Sequence, residues 1–182
     1  MIYCSYCGTP VVEKTPAGDN RTRYVCEACN TVHYQNPKIV AGCIPVWEGR
    51  LLLCRRAIEP RYGLWTLPAG FMENGESTEQ AAARETLEEA CAQVQQMELY
   101  GVFSIPHINQ VYMMFRGQLQ SADFGPGQES LDVRLFEEHE IPWEKLAFPV
   151  VRLTLERYYN DLKAERFPVY VENIEHHPAR KK

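Results

Sequence analysis

An α+β fold is what this 182-residue sequence predicts: a mixed β-sheet with helices packed on it, preceded by a small β appendage. Three observations carry that expectation. Four cysteines fall in two tight pairs before position 30. Apolar runs of strand length, broken by glycine- and proline-containing turns, follow from position 39. Two further stretches carry helical spacing, one rich in alanine and glutamate and one that closes the pattern.

The appendage comes first. Cys4 and Cys7 in CSYC and Cys26 and Cys29 in CEAC stand eighteen residues apart, the two-knuckle spacing of a zinc ribbon. Two CxxC turns offer four thiolates to one Zn²⁺ and leave no open position, so such a metal is structural. Paired disulfides or a redox CxxC are the alternatives; the doubled motif and the lack of an apolar signal region in MIYCSYCG speak against them. Cys43, Cys54 and Cys91 sit in apolar contexts and are expected to be buried small hydrophobes.

The expected organisation is a zinc ribbon over 1–34, a connector over 35–38 (QNPK), a main domain over 39–165 and a C-terminal extended tail over 166–182. IVAGCIPVW and RLLLCRR, joined by Glu48-Gly49, read as a hairpin. LWTLPAG reads as a short strand ending at Gly70, and MELYGVFSI, NQVYMMFRGQL and SLDVRLF as three more. VVRLTLERYYNDLKAE carries apolar residues at helical spacing. No internal repeat is visible.

Net charge is −5, and apart from the terminal ARKK the basic residues are scattered, which argues against a nucleic-acid binder. No stretch approaches the roughly 18 consecutive apolar residues of a membrane span. The expectation is a soluble cytoplasmic protein.

The chemistry concentrates in GFMENGESTEQAAARETLEEAC, positions 70–91. Ser77 followed by Gln80 is a capping-box pattern that starts a helix near Thr78 and carries it to about Cys91. Glu85, Glu88 and Glu89, at i, i+3 and i+4, share one face, while Ala81, Ala82, Ala83, Leu87 and Ala90 offer a packing surface. Three carboxylates repel one another unless neutralised, and a hard divalent cation, Mg²⁺ or Mn²⁺, takes such oxygen ligands together with substrate phosphates. A solvated acidic face is the plainer alternative.

Context decides between them. Gly70, Glu76, Arg84-Glu85 and Glu88-Glu89 fall in the spacing of the Nudix box, G-x5-E-x7-R-E-U-x-E-E-x-G-U with U apolar. The chain resembles a Nudix hydrolase. Cys91 stands in place of the box's second glycine, Thr86 in place of an aliphatic residue, and Ala92 is a small member of the last class, whereas every ionic position is retained. The resemblance implies an α/β/α sandwich and metal-dependent hydrolysis of a nucleoside diphosphate linked to another moiety. It implies Glu85, Glu88 and Glu89 as metal ligands, the Gly70 carbonyl as a further ligand, Glu76 as an additional metal residue or one that supports the ligands from outside, and Arg84 as the residue that orients a box glutamate. Glu129, in GQESLDVRLF, is the candidate extra carboxylate, against the alternative of an ordinary strand-edge charge; the general base is a box glutamate or Glu129.

YQNPK, LLLCRRAIEPRYGLWTLPAG, VFSIPHINQVYMMF and LAFPVVRLTL are similar to ribbon-bearing Nudix hydrolases of the plant FAD and ADP-ribose diphosphatase type. Ribbon-bearing NADH diphosphatases carry an SQPWPFP-like segment after the box, where this chain has YGVFSIPHINQVYMMF. The expected substrate is therefore FAD or ADP-ribose, cut to AMP and the other phosphate half. NADH or RNA-cap hydrolysis, or a catalytically silent nucleotide-binding regulator, are the alternatives. The resemblance also implies a homodimer. Arg55 and Arg56, one inward and one outward in an alternating strand, are candidate phosphate contacts or solvated charges. His107 is a candidate pocket residue or an exposed loop histidine, and Tyr62 a candidate base-stacking residue; Trp65 fits the core better.

Overall fold

The computed structural model describes residues 1–175, so ARKK and the end of the expected tail lie outside the described residues. The chain divides into two compact units, Met1–Pro37 and the remainder from Lys38.

In the first unit, β1 (Val12–Lys14), β2 (Arg23–Val25) and β3 (Val32–His33) form a small antiparallel sheet in sequence order. Its buried apolar residues are Cys4, Val25 and Cys26. So small an interior cannot offset the entropy of ordering the unit, and something other than apolar burial has to hold it.

The second unit is built on one mixed sheet. β4 (Lys38–Trp47) turns at Glu48 and Gly49, both at positive φ (48° and 78°), into β5 (Arg50–Arg56), the two-residue hairpin the sequence predicts. β6 (Trp65–Thr66) and β7 (Ala69–Phe71) follow, then helix α1 (Thr78–Ala90), β8 (Val94–Ile105), β9 (Gln110–Leu119), β10 (Ser130–Phe136) and helix α2 (Pro149–Ala164). A last strand, β11 (Tyr170–Asn173), completes the order β10-β5-β4-β9-β8-β11, with β6 paired to β5 and β7 to β4. β4 with β9 and β8 with β11 run parallel; the other pairs are antiparallel.

Strand alternation sends successive residues to opposite faces, and each face meets a helix. Leu51 and Leu53 of β5 pack with Ile44, Val46 and the Val150, Val151, Leu155 and Tyr158 side of α2. Leu52 and Cys54 pack with Ala90 at the end of α1, and Ala41 with Ala81 and Ala82. The sheet is thus the middle of three layers, the expected sandwich. No helix among the described residues is long and apolar enough to cross a membrane.

Four local expectations are corrected. LWTLPAG is two strands, because Leu67-Pro68 interrupts pairing and the chain passes from β5 to β4. The segment after Phe167 does not trail free: Tyr170–Asn173 pairs in register with Gly101–Ser104. Leu87 is 48% exposed, because α1 packs through Ala81, Ala82, Thr86, Glu89 and Ala90 instead. Cys43 and Cys54 are buried as expected, but Cys91 is exposed, since the helix ends at Ala90 and Cys91 turns away in the left-handed region.

Candidate active site and metal centre

Helix α1 is fixed at both ends. Ser77 accepts from the Gln80 backbone N–H (3.1 Å) and the Gln80 side chain accepts from the Ser77 N–H (2.8 Å), the predicted capping box. At the other end, Gly125 N–H donates to the Ala90 carbonyl (2.9 Å) and Gly127 N–H to the Glu89 carbonyl (3.0 Å), satisfying groups the helix leaves open. A Cβ on Gly127 would overlap the Glu88 backbone, so only glycine lets this loop close on the helix. Glycines 125 and 127 were not singled out as site residues in the sequence, where the GPG turn was the available signal.

The loop delivers Glu129, in the turn before β10, close enough to Glu85 and Glu89 to raise the proton affinity of both. At Gly70 on β7, a Cβ would overlap the Glu85 carboxylate. Arg84 lies across the cluster. Its Nε and Nη2 donate to the two oxygens of Glu76 (3.0 and 2.8 Å), its Nη1 to Glu85 (2.7 Å) and Glu88 (3.1 Å), and Nη2 also reaches the Phe71 carbonyl (3.2 Å). Arg84 and the Glu73 N–H hold the Glu76 carboxyl down to about 2. Burial pushes Glu85 up although Arg84 opposes it. Glu89, 6% exposed, is pushed up to about 8, first by burial and then by the Glu85 charge. Thr86, buried in the aliphatic position of the box, donates its hydroxyl to the Ala82 carbonyl (2.8 Å) and so carries no unsatisfied group into the interior.

The arginine pair separates as alternation requires. Arg55 is exposed and donates to the Gly63 carbonyl (3.0 Å). Arg56 lies over the Phe148 ring (5.2 Å), donates to the Pro60 carbonyl (3.0 Å), and is near enough to Glu89 to favour its charged form. Trp65 packs edge-on to Phe136 (5.0 Å). Tyr62 is exposed, and His107 stands in an exposed turn between β8 and β9. The structure therefore gathers Gly70, Glu76, Arg84, Glu85, Glu88, Glu89, Glu129 and Arg56, while Arg55 and His107 are exposed.

The donor set fits a hard divalent cation. Several carboxylate oxygens crowd together while Arg84 is committed to Glu76, Glu85 and Glu88, and Arg56 only partly offsets the burial of Glu89, whose charged form stays disfavoured. These oxygens do not converge as tightly as the sulfurs of the first unit.

There, the Sγ atoms of Cys4, Cys7, Cys26 and Cys29 all lie within 4.8 Å of one another, with Cys4 to Cys29 at 3.7 Å and Cys7 to Cys26 at 3.4 Å. Four sulfurs held about 2.3 Å from one ion in a tetrahedron stand roughly 3.8 Å apart, so the quartet fits Zn²⁺. Hydrogen bonding, first from Thr9, lowers the Cys7 thiol to about 6, whereas its neighbour Cys26 is raised to about 11, so the closely packed sulfurs share their protons unevenly until a cation displaces them.

Comparison with known proteins finds a family match for each of the two units. The family described as "NUDIX domain" matches residues 36–156, and that described as "Nudix N-terminal", a zinc ribbon, matches residues 3–35. A crystal structure of a Nudix hydrolase from Nitrosomonas europaea superposes with a TM-score of 0.91 and 55% identity, covering 96% of this chain and all of that one. Proteins named "NAD-capped RNA hydrolase NudC" are similar over shorter shares. The one from Photobacterium profundum is 31% identical over 134 residues, 71% of this chain and 47% of its own length. The one from Vibrio parahaemolyticus is 28% identical over 169 residues, 91% of this chain and 62% of its own length.

Proposed function

This chain belongs to the Nudix hydrolase family, and from that premise we propose that it cleaves the diphosphate of FAD or ADP-ribose, releasing AMP and the other phosphate half. The observation that carries the reading is the buried, charge-deficient carboxylate of Glu89 beside Glu85 and Glu129, with Arg56 opposite. Glu85, Glu88 and Glu89 would hold the divalent ion, with the Gly70 carbonyl beside them and Glu76 supporting the set through Arg84. Bound there, Mg²⁺ or Mn²⁺ withdraws charge from the diphosphate and acidifies the attacking water.

The chain's own residues do the rest. Arg84 fixes the orientation of Glu85 and Glu88 through charge-assisted bonds. Arg56, held against Phe148, offers its guanidinium to a phosphate oxygen. Water attacks phosphorus, the bridging P–O bond breaks, and the water's proton passes to a box carboxylate or Glu129.

The preference for FAD or ADP-ribose rests on SIPHINQ, which occupies the end of β8 and the turn after it, where an SQPWPFP-like segment marks the NADH enzymes. A second reading, hydrolysis of NAD-capped RNA, is favoured by the names of the curated relatives. It stays second because this chain spans only 47% and 62% of those two proteins. In the proposed division of labour, residues 1–34 form the zinc ribbon, 35–38 connect, 39–165 catalyse and 166–182 follow, in a cytoplasmic homodimer.

The test is a product assay with Mg²⁺ or Mn²⁺ on FAD, ADP-ribose, NADH and NAD-capped RNA, run beside Glu88→Gln. AMP from FAD or ADP-ribose that disappears in the variant supports the reading; turnover of capped RNA alone moves the assignment to the second.

A further inference from the structure

The two cysteine knuckles repeat one local design that the sequence reading overlooked. Cys4-Ser5-Tyr6-Cys7-Gly8-Thr9 and Cys26-Glu27-Ala28-Cys29-Asn30-Thr31 each place a left-handed residue after the second cysteine, Gly8 at φ 75° and Asn30 at φ 58°. In each, the first cysteine's N–H donates to the threonine carbonyl, 2.8 Å from Cys4 to Thr9 and 2.9 Å from Cys26 to Thr31. Thr31 also bonds to its neighbouring Cys29 thiol at 3.0 Å, and Thr9 favours the thiolate form of Cys7 in the same sense.

The symmetry breaks two residues further on. The first knuckle has Val11 there and the second has His33. β3 carries His33 beside Tyr24 of β2, and its Nε2 lies 3.3 Å from Sγ of Cys4, on the opposite knuckle. Cys4 is buried and also receives the Tyr6 N–H (3.4 Å).

We infer that His33 is a positioning residue of the zinc centre, donating its Nε2–H to the Cys4 thiolate from outside the tetrahedron and tying the second knuckle to the first. The chemistry fixes the tautomer: a metal-bound thiolate has no proton to give, so the imidazole nitrogen facing it carries one. Four sulfurs already complete the coordination, which leaves His33 the outer role and not that of a ligand. A donor at this position draws charge from the sulfur, orients its lone pair and restrains β3. Outer-sphere partners of this kind typically change metal affinity by about 10–100-fold. The inference rests on the zinc reading of the ribbon.

The test uses full-length protein, with His33→Phe keeping ring volume without a donor and His33→Gln restoring an N–H. Zinc stoichiometry is measured first, then zinc transfer to a chromophoric chelator, then the charge-transfer spectrum of the Co²⁺-substituted protein. The expected result is one zinc per chain in the wild type, roughly tenfold faster loss from His33→Phe, and substantial rescue by His33→Gln. The Co²⁺ spectrum of the wild type should be that of four thiolates, with its sulfur-to-metal band displaced in the Phe variant. A wild-type spectrum of three thiolates and one nitrogen would make His33 a ligand and overturn the inference. Equal release rates and superimposable bands would overturn it too, while leaving the zinc reading intact. A wild-type protein without zinc would remove both.

Discussion

Gly70 and Glu85 occupy overlapping space: the position a Cβ would take on Gly70 is already filled by the Glu85 carboxylate. The glycine on β7 is therefore a mould for the carboxylate on α1, and its need for absence of a side chain is steric, since its φ is not in the left-handed region. Gly70→Ala should fold, because the methyl can push a partly solvated side chain aside, but Glu85 would leave the site. A displacement near 1 Å at a catalytic group commonly costs about 100-fold. Metal-dependent turnover should fall by roughly that factor, with far-UV circular dichroism unchanged; near-wild-type turnover would show that Glu85 is not where the chemistry needs it.

Glu89 makes the metal-free protein sensitive to pH in an unusual direction. Its folded value, about 8, lies above the ordinary carboxylate value of 4.5, so between those limits the native state binds more protons than the unfolded state. Stability from this group is full at low pH and is lost as pH rises from 4.5 through 8. Divalent cation reverses the effect, because the ion needs the charged form. In buffer free of Mg²⁺ and Mn²⁺, Tm should drop between pH 6 and pH 9 by an amount of the order of 5 °C. Glu89→Gln should flatten that drop, and added Mg²⁺ should abolish it. Chelators are to be avoided in this experiment, since they would also strip the ribbon.

Cys91 stands where the box has glycine, and the helix cap explains the glycine: φ is 49°, the left-handed region in which a Cβ is strained. Cys91→Gly should relieve that strain at the expense of a more flexible unfolded chain, a net gain of about 0.5–1 kcal/mol. Because no ionic group moves, turnover should stay within about twofold. A variant that gained activity manyfold would mean that the cap geometry, and not the carboxylates alone, limits catalysis.

How much of this was legible in the sequence depends on how local the physics is. The β4–β5 hairpin, the start of α1 and the bounds of β10 follow from Glu48-Gly49, from Ser77 with Gln80, and from SLDVRLF, all within a few residues of the feature they set. The box spacing likewise marked the residues that Arg84 ties together. What was missed depends on partners far along the chain. Leu87 looks like a packing residue until the small side chains of Ala81, Ala82 and Thr86 are seen to set the buried face. His33 gains meaning only from Cys4, and Gly127 only from the Glu88 backbone. β11 is four residues with no alternation strong enough to announce a strand, and it exists because β8 offers an edge.

That last strand is held by more than its ladder. Tyr170 donates to Asp161 (2.7 Å) and Tyr100 donates to the other oxygen of the same carboxylate (2.6 Å), so β11, α2 and β8 meet at one buried anion. Asp161 is 7% exposed; one turn earlier on α2, Arg157 lies over the Tyr170 ring (5.2 Å) and pairs with Glu172 of β11 (3.2 Å). Removing one phenol leaves the carboxylate with the other, and Tyr170→Phe should cost about 1 kcal/mol. Removing both strips a buried charge of its two donors, so Tyr100→Phe with Tyr170→Phe should cost more than the sum of the single variants. Hydrogen exchange distinguishes a latch from general destabilisation: in Tyr170→Phe the amides of residues 170–173 should exchange faster while those of β4 and β9 keep their protection. Uniform acceleration across the sheet, or none at residues 170–173, would show that Asp161 does not hold the strand in place.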